Sequence, residues 1–157
     1  MAVNDITFPS SEYPAGQTTL KHYFPLTFSG DLVDGAATEI FKFALPFKGR
    51  LTDIQASLEL TGTVGTDVSF DVKDDGTSML STLGAIAVAA ADGALARVGG
   101  GAATGVTHPV IDAAADNAAE NSEISVEIIT AGTFTVQPRN ATVMLEFTEE
   151  QNTDPAV

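Results

Sequence analysis

The sequence is that of an all-β protein, an antiparallel β-sandwich of jelly-roll-like design with an extended N-terminal arm. Alternation carries most of this reading. Ile54, Ala56, Leu58 and Leu60 alternate with Asp53, Gln55, Ser57 and Glu59, and Val68, Phe70 and Val72 alternate with Ser69, Asp71 and Lys73. Successive side chains of a strand point to opposite faces, so each segment is apolar on one side and wet on the other. Sheets of such strands cover a core with one face and meet water with the other. Turn chemistry punctuates the runs. Asp74-Asp75-Gly76-Thr77 and the loop from Thr61 to Thr66 separate them, with Gly where a positive φ is needed. Composition agrees: 157 residues, 44% of them hydrophobic, suffice for one domain with a real core and exclude wholesale disorder.

Residues 1–36 read as the N-terminal arm. Pro9, Pro14 and Pro25 forbid a long helix there, because proline lacks the N–H and clashes with the preceding turn. Yet Ile6, Phe8, Tyr13, Leu20, Tyr23, Phe24, Leu26 and Phe28 are too many large apolar groups for a solvated tail. Two readings stay open: an arm lying on a neighbour or on its own sheet, or a first strand near residues 22–29 behind a disordered leader. The β-sandwich domain is expected over 37–150, with strands near 38–46, 50–61, 67–74 and 77–82. Residues 84–122 are ambiguous, since their Ala favours helix and their Gly opposes it. A short strand, a turn at Asp92–Gly93 and a flexible loop through Gly101 are expected, with 112–121 as one helical turn or a surface loop. Alternation returns at Ile124, Val126 and Ile128, and again from Ala141 to Thr148 with Val143, Leu145 and Phe147 on one face. Residues 151–157 read as a flexible polar tail. About eight strands with regular turn signals fit a jelly roll or related sandwich.

The formal net charge is −14, from 21 acidic and 7 basic residues. Such a balance repels nucleic acid, whose phosphates demand clustered Lys and Arg, and disfavours anionic membrane surfaces. It suits a protein that must stay dispersed at high concentration or high salt. There is no Cys, so disulfides and thiolate metal sites are excluded. No apolar run approaches the roughly 18 residues of a membrane span. The first residues, MAVNDITFPSSEYP, lack the basic region and apolar core of a signal peptide, so no secretory leader is expected in this stretch.

No catalytic, cofactor or metal constellation emerges. The Asp71–Gly76 segment invites a calcium reading, but an EF-hand loop counted from Asp71 puts Lys73 at its third position and Thr82 where the bidentate Glu belongs. His22 and His108 have no second ligand at metal-binding spacing and read as surface residues. No G-x-S-x-G elbow marks a nucleophile. Gly99, Gly100 and Gly101 lack the Lys of a phosphate loop. Asn140-Ala-Thr142 is a glycosylation sequon on paper. Carbohydrate platforms favour exposed aromatics, whereas this chain has no Trp and only Tyr13 and Tyr23, with nine Phe mostly at strand-face positions.

The segment from Phe43 to Thr82 resembles a pattern found in tailed-phage virion proteins. Asp71-Val72, Gly76-Thr77-Ser78 and Leu80 match its centre, and Glu123 to Thr133 and Ala141 to Phe147 match its end. The likeness covers roughly two thirds of the chain, departs at Asp75 where Asn is commoner, and has no counterpart for 84–122. Proteins of this look are jelly-roll modules on phage particles: capsid decoration (cement) proteins, head fibres and tail-fibre domains. The resemblance implies a non-enzymatic virion protein on the capsid exterior, commonly a homotrimer, whose partner is the major capsid protein. On that expectation the arm binds the partner through Phe8, Tyr13, Tyr23 and Phe24. The alternative is a tail-fibre or head-fibre module that binds a host receptor or carbohydrate.

Overall fold

The computed structural model describes residues 19–32, 37–63, 65, 67–130 and 132–150. Thirteen strands and no helix run through them. These are β1 (Thr19–Asp31), β2 (Ala37–Ala44), β3 (Gly49–Leu60), β4 (Asp67–Asp74), β5 (Thr77–Ser78), β6 (Leu80–Thr82) and β7 (Gly84–Ala87). They continue with β8 (Leu95–Arg97), β9 (Val106–Thr107), β10 (Val110–Ile111), β11 (Asn117–Ala118), β12 (Glu123–Thr130) and β13 (Arg139–Glu150). Every pairing is antiparallel. The front sheet runs β1-β13-β3-β11, with β8 also beside β3. The back sheet runs β2-β12-β4-β7-β9, with β5 on β4, and β6 pairs with β10 apart from both. The first and third strands thus flank the last, and the second and fourth flank the last but one. The chain wraps upon itself as a jelly roll does.

The alternating positions fill the space between the sheets. Leu51, Ile54, Ala56 and Leu58 of β3 meet Val143, Leu145 and Phe147 of β13 on the front inner face, all at most 1% exposed. Val68, Phe70 and Val72 of β4 and Ile124, Val126 and Ile128 of β12 line the back inner face equally tightly. Burial at about 25 cal/mol per Å² of apolar surface makes this two-layer core the main stabilising term. The 77–82 run divides at Met79, whose side chain is fully buried and whose N–H bonds Val72 O at 2.8 Å. In the β4–β5 hairpin Asp75 and Gly76 both take positive φ (46° and 82°), the type I′ geometry that matches strand twist.

Residues 84–122 hold five short strands: the expected short strand is β7, the expected turn stands at Asp92–Gly93, and β8 lies within the stretch expected as a loop through Gly101. Gly93, Gly99 and Gly105 sit at positive φ and break what the alanines would otherwise extend. A Cβ at Gly105 would lie 2.6 Å from the Ala90 nitrogen, so the chain can pass there only as glycine. His108 ties the Gly-rich stretch together: its Nδ1 accepts the Arg97 N–H at 3.3 Å and its Nε2 meets Gly101 O at 2.6 Å. Residues 112–115 are a turn, in which Asp112 accepts the Ala114 N–H on its side chain and the Ala115 N–H on its backbone, both at 2.9 Å.

Candidate partner-binding edge

β1 and β2 are the outermost strands of the two sheets, and they meet on one side of the sandwich, where Phe24 stacks on Phe43 at 4.9 Å. Among the described residues each pairs on one flank, β1 with β13 and β2 with β12. Pro25, in the middle of β1, has no N–H to donate and suits an edge position. The segment read from sequence as arm or first strand is therefore, over 19–31, an edge strand in continuous register with β13 from Thr19↔Glu150 to Phe28↔Ala141.

Alternation along β1 divides its side chains by face. His22, Phe24, Leu26 and Phe28 turn inward and are half-buried, whereas Lys21, Tyr23, Pro25 and Thr27 turn outward and are exposed. Inward, Phe24 lies 6.0 Å from Phe147, edge to face, and 6.4 Å from Phe47, in the geometries aromatic rings prefer. His22 stacks on Phe47 at 4.1 Å and bonds Glu149 through Nε2 at 2.8 Å. It is therefore a seam residue and not the plain surface histidine the sequence suggested.

Outward, the strand is stitched to its sheet around Glu146, which is only 9% exposed. Lys21 Nζ approaches the Glu146 carboxylate at 2.9 Å, Thr52 donates to it at 2.7 Å, and Tyr23 bonds it as well. Burial pushes the Glu146 carboxyl up, but the bonds from Lys21, Thr52 and Tyr23 outweigh that and hold it below its ordinary value. The same contact raises Lys21 and Tyr23, each chiefly through its hydrogen bond to Glu146. Thr52 can reach because β3 is bulged opposite Glu146 and Phe147.

Of the four residues expected to hold a partner, Phe8 and Tyr13 lie outside the described residues. Tyr23 is 55% exposed on the outer face, and Phe24 is turned into its own sandwich. Glu146, Phe47 and His22 were not anticipated as parts of this edge. His22 shares parity with Phe24, Leu26 and Phe28, which was the available signal. Glu146 had none: between Leu145 and Phe147 it reads as an ordinary wet-face carboxylate, and only β1 beside it makes it buried.

Other polar motifs are absorbed by the fold. Asp71, 5% exposed, accepts the Ser78 hydroxyl at 2.6 Å, and Lys73 pairs with Glu127 at 2.8 Å. Burial raises the Asp71 carboxyl above its ordinary value, with Ser78 and Lys73 offsetting part of the rise. Asn140, at φ 52°, accepts the Gly30 N–H at 2.7 Å and donates to Glu59 at 2.5 Å, so the amide of the paper sequon is already engaged.

No family model matches the chain, and no curated protein matches it. Among solved structures it is similar to a chain of the cyanophage Pam1 capsid asymmetric unit. The two are 13% identical over 95% of this chain and 97% of that chain, with a TM-score of 0.42. At this identity and score the likeness carries no functional weight.

Proposed function

We propose that this chain is a non-enzymatic virion structural protein, a capsid decoration (cement) protein. On this reading homotrimers bind the outside of a phage head and stabilise the major capsid subunits, with residues 1–18 reaching a neighbouring subunit through Phe8 and Tyr13. The observation that carries the reading is the two-strand edge formed by β1 and β2, joined by the Phe24–Phe43 stack. A half-buried seam of Phe24, Phe41 and Phe43 between two strands that, among the described residues, each pair on one flank suits added protein contacts. The sequence resemblance supports it too, since its central residues form the β4–β5 hairpin and its Asp71–Ser78 bond, which serve architecture.

The test is reconstitution. Stripped shells are incubated with the full chain and with a form lacking residues 1–18, which keeps β1 whole. Specific rebinding is expected for the full chain, with a loss of at least about tenfold, or 1.4 kcal/mol, for the truncated one. Equal rebinding removes the arm from the proposal. No rebinding by either removes the decoration role.

A further inference from the structure

His108 is tied at both ring nitrogens, and its two partners fix where its proton sits. Gly101 O can only accept, so Nε2, 2.6 Å away, carries the hydrogen. The Arg97 amide can only donate, so Nδ1, 3.3 Å away, is bare. Both bonds therefore belong to the neutral ring in a single tautomer. The ring also has a fitted seat: a Cβ at Gly100 would collide with the imidazole, so the bare glycine makes room for it. β8 pairs with β3 among the described residues, and His108 joins the end of β8 to the Gly-rich stretch 99–101.

Charge around the ring is sparse. β7, β9 and residues 98–105 contain no titratable group, and β8 brings only the Arg97 cation. Asp92, in the turn ahead of β8, accepts from Thr61, and Asp112, beyond β10, accepts the Ala114 N–H. On β3 the residue opposite Arg97 is the neutral Gln55, whose amide holds Asp53. The ring nitrogens of His108 thus bond backbone groups, whereas His22 bonds the Glu149 carboxylate.

We propose that His108 is an acid-released latch between β8 and the Gly-rich stretch. A second proton on the ring goes to Nδ1 and sets one N–H against another at Arg97. The new positive charge has no bonded carboxylate to offset it. The tie to β8 breaks, while Nε2 remains a donor and keeps Gly101. Only the neutral ring makes both bonds, so the closed latch is present above the ordinary range of histidine, about 6.5, and is lost as pH falls through it. Opening exposes the Arg97 amide to water and loosens the Gly-rich stretch on the front sheet. The latch is independent of what the chain binds, so failure of the decoration reading leaves it standing.

The experiment is NMR of the full chain, labelled with nitrogen-15, from about pH 8 to about pH 5. At the alkaline end the His108 ring nitrogens are expected to show hydrogen on Nε2 and none on Nδ1. Exchange at the Arg97 amide is corrected for its intrinsic pH dependence and referred to Val98, whose N–H bonds Ile54 O at 3.3 Å. Arg97 is expected to lose about threefold to tenfold in protection at the acid end, the worth of one hydrogen bond. His108→Asn puts a side-chain oxygen in the place of Nδ1 and should keep Arg97 equally protected across the range. His22 is the other histidine, but it lies on β1, with β13 and β3 between it and β8, so a local amide separates the two. Hydrogen on Nδ1 at the alkaline end overturns the proposal. So does an Arg97 protection that stays level in acid, or one that falls as much in His108→Asn.

Discussion

Asn140 shows how much one residue can hold in a sheet. It occupies the left-handed region inside β13, and its amide bridges Gly30 on one side and Glu59 on the other. Asn140→Ala loses both bonds and strains the backbone, so a cost of about 2 kcal/mol is expected, readable as about 4–8 °C in thermal melts. Asn140→Gly should recover only the backbone share. Two carboxylates should respond to acid with opposite sign. Glu146 is held below its ordinary value, so it stabilises the fold above that value, and the contribution disappears as pH falls through the lowered one. Glu146→Gln is therefore expected to cost about 1 kcal/mol at neutral pH and nothing in strong acid. Asp71 is raised, so the folded state binds its proton more tightly than the unfolded chain, and stability falls as pH rises through that window. Asp71→Asn, which still accepts from Ser78, should be neutral or stabilising at pH near 7 and lose that advantage below about pH 4. Urea titrations across the acid range check both signs.

At the scale of elements, β1 is two-faced, and its faces should separate by experiment. Phe24 packs inward on Phe43, Phe47 and Phe147. Phe24→Ala is expected to cost about 2–3 kcal/mol in denaturant, less than a fully buried ring because Phe24 is half-exposed. Tyr23→Ala, on the exposed outer face, should shift the denaturation midpoint clearly less than Phe24→Ala does. A variant pair that destabilises equally would contradict the assignment of faces. The 84–118 region makes a different point. Its alanines left helix, strand and loop undecided, because Ala contributes little to either periodicity and strands of two to four residues are too short to show alternation. Its order comes from partners far along the chain, such as β3 for β8 and β11. His108→Ala should release one of those ties and raise hydrogen exchange at the Arg97 amide by about tenfold or more.

Across the whole molecule the dominant long-range quantity is the net charge of −14. Mutual repulsion opposes compaction, and salt screens it over about 10 Å at 0.1 M. Raising NaCl from about 0.01 to about 0.5 M is therefore expected to raise the melting temperature by a few degrees. A melting temperature that falls with salt would mean that ion pairs such as Lys21–Glu146 and Arg50–Asp116 outweigh the repulsion.

Periodicity by itself determined the class of this protein. The alternating runs in 50–60, 67–74, 123–130 and 141–148 are strands, and their apolar parity is the core, because a side-chain period of two leaves a half-buried strand no other way to hide its hydrophobic set. Only the tertiary structure decided which strands are neighbours. The pairing of β1 with β13, and of β2 with β12, joins segments at opposite ends of the chain. Nothing local encodes such long-range register; it follows from closing two sheets over one core. That closure turned Phe24 inward and Tyr23 outward, buried Glu146 and stacked His22 on Phe47.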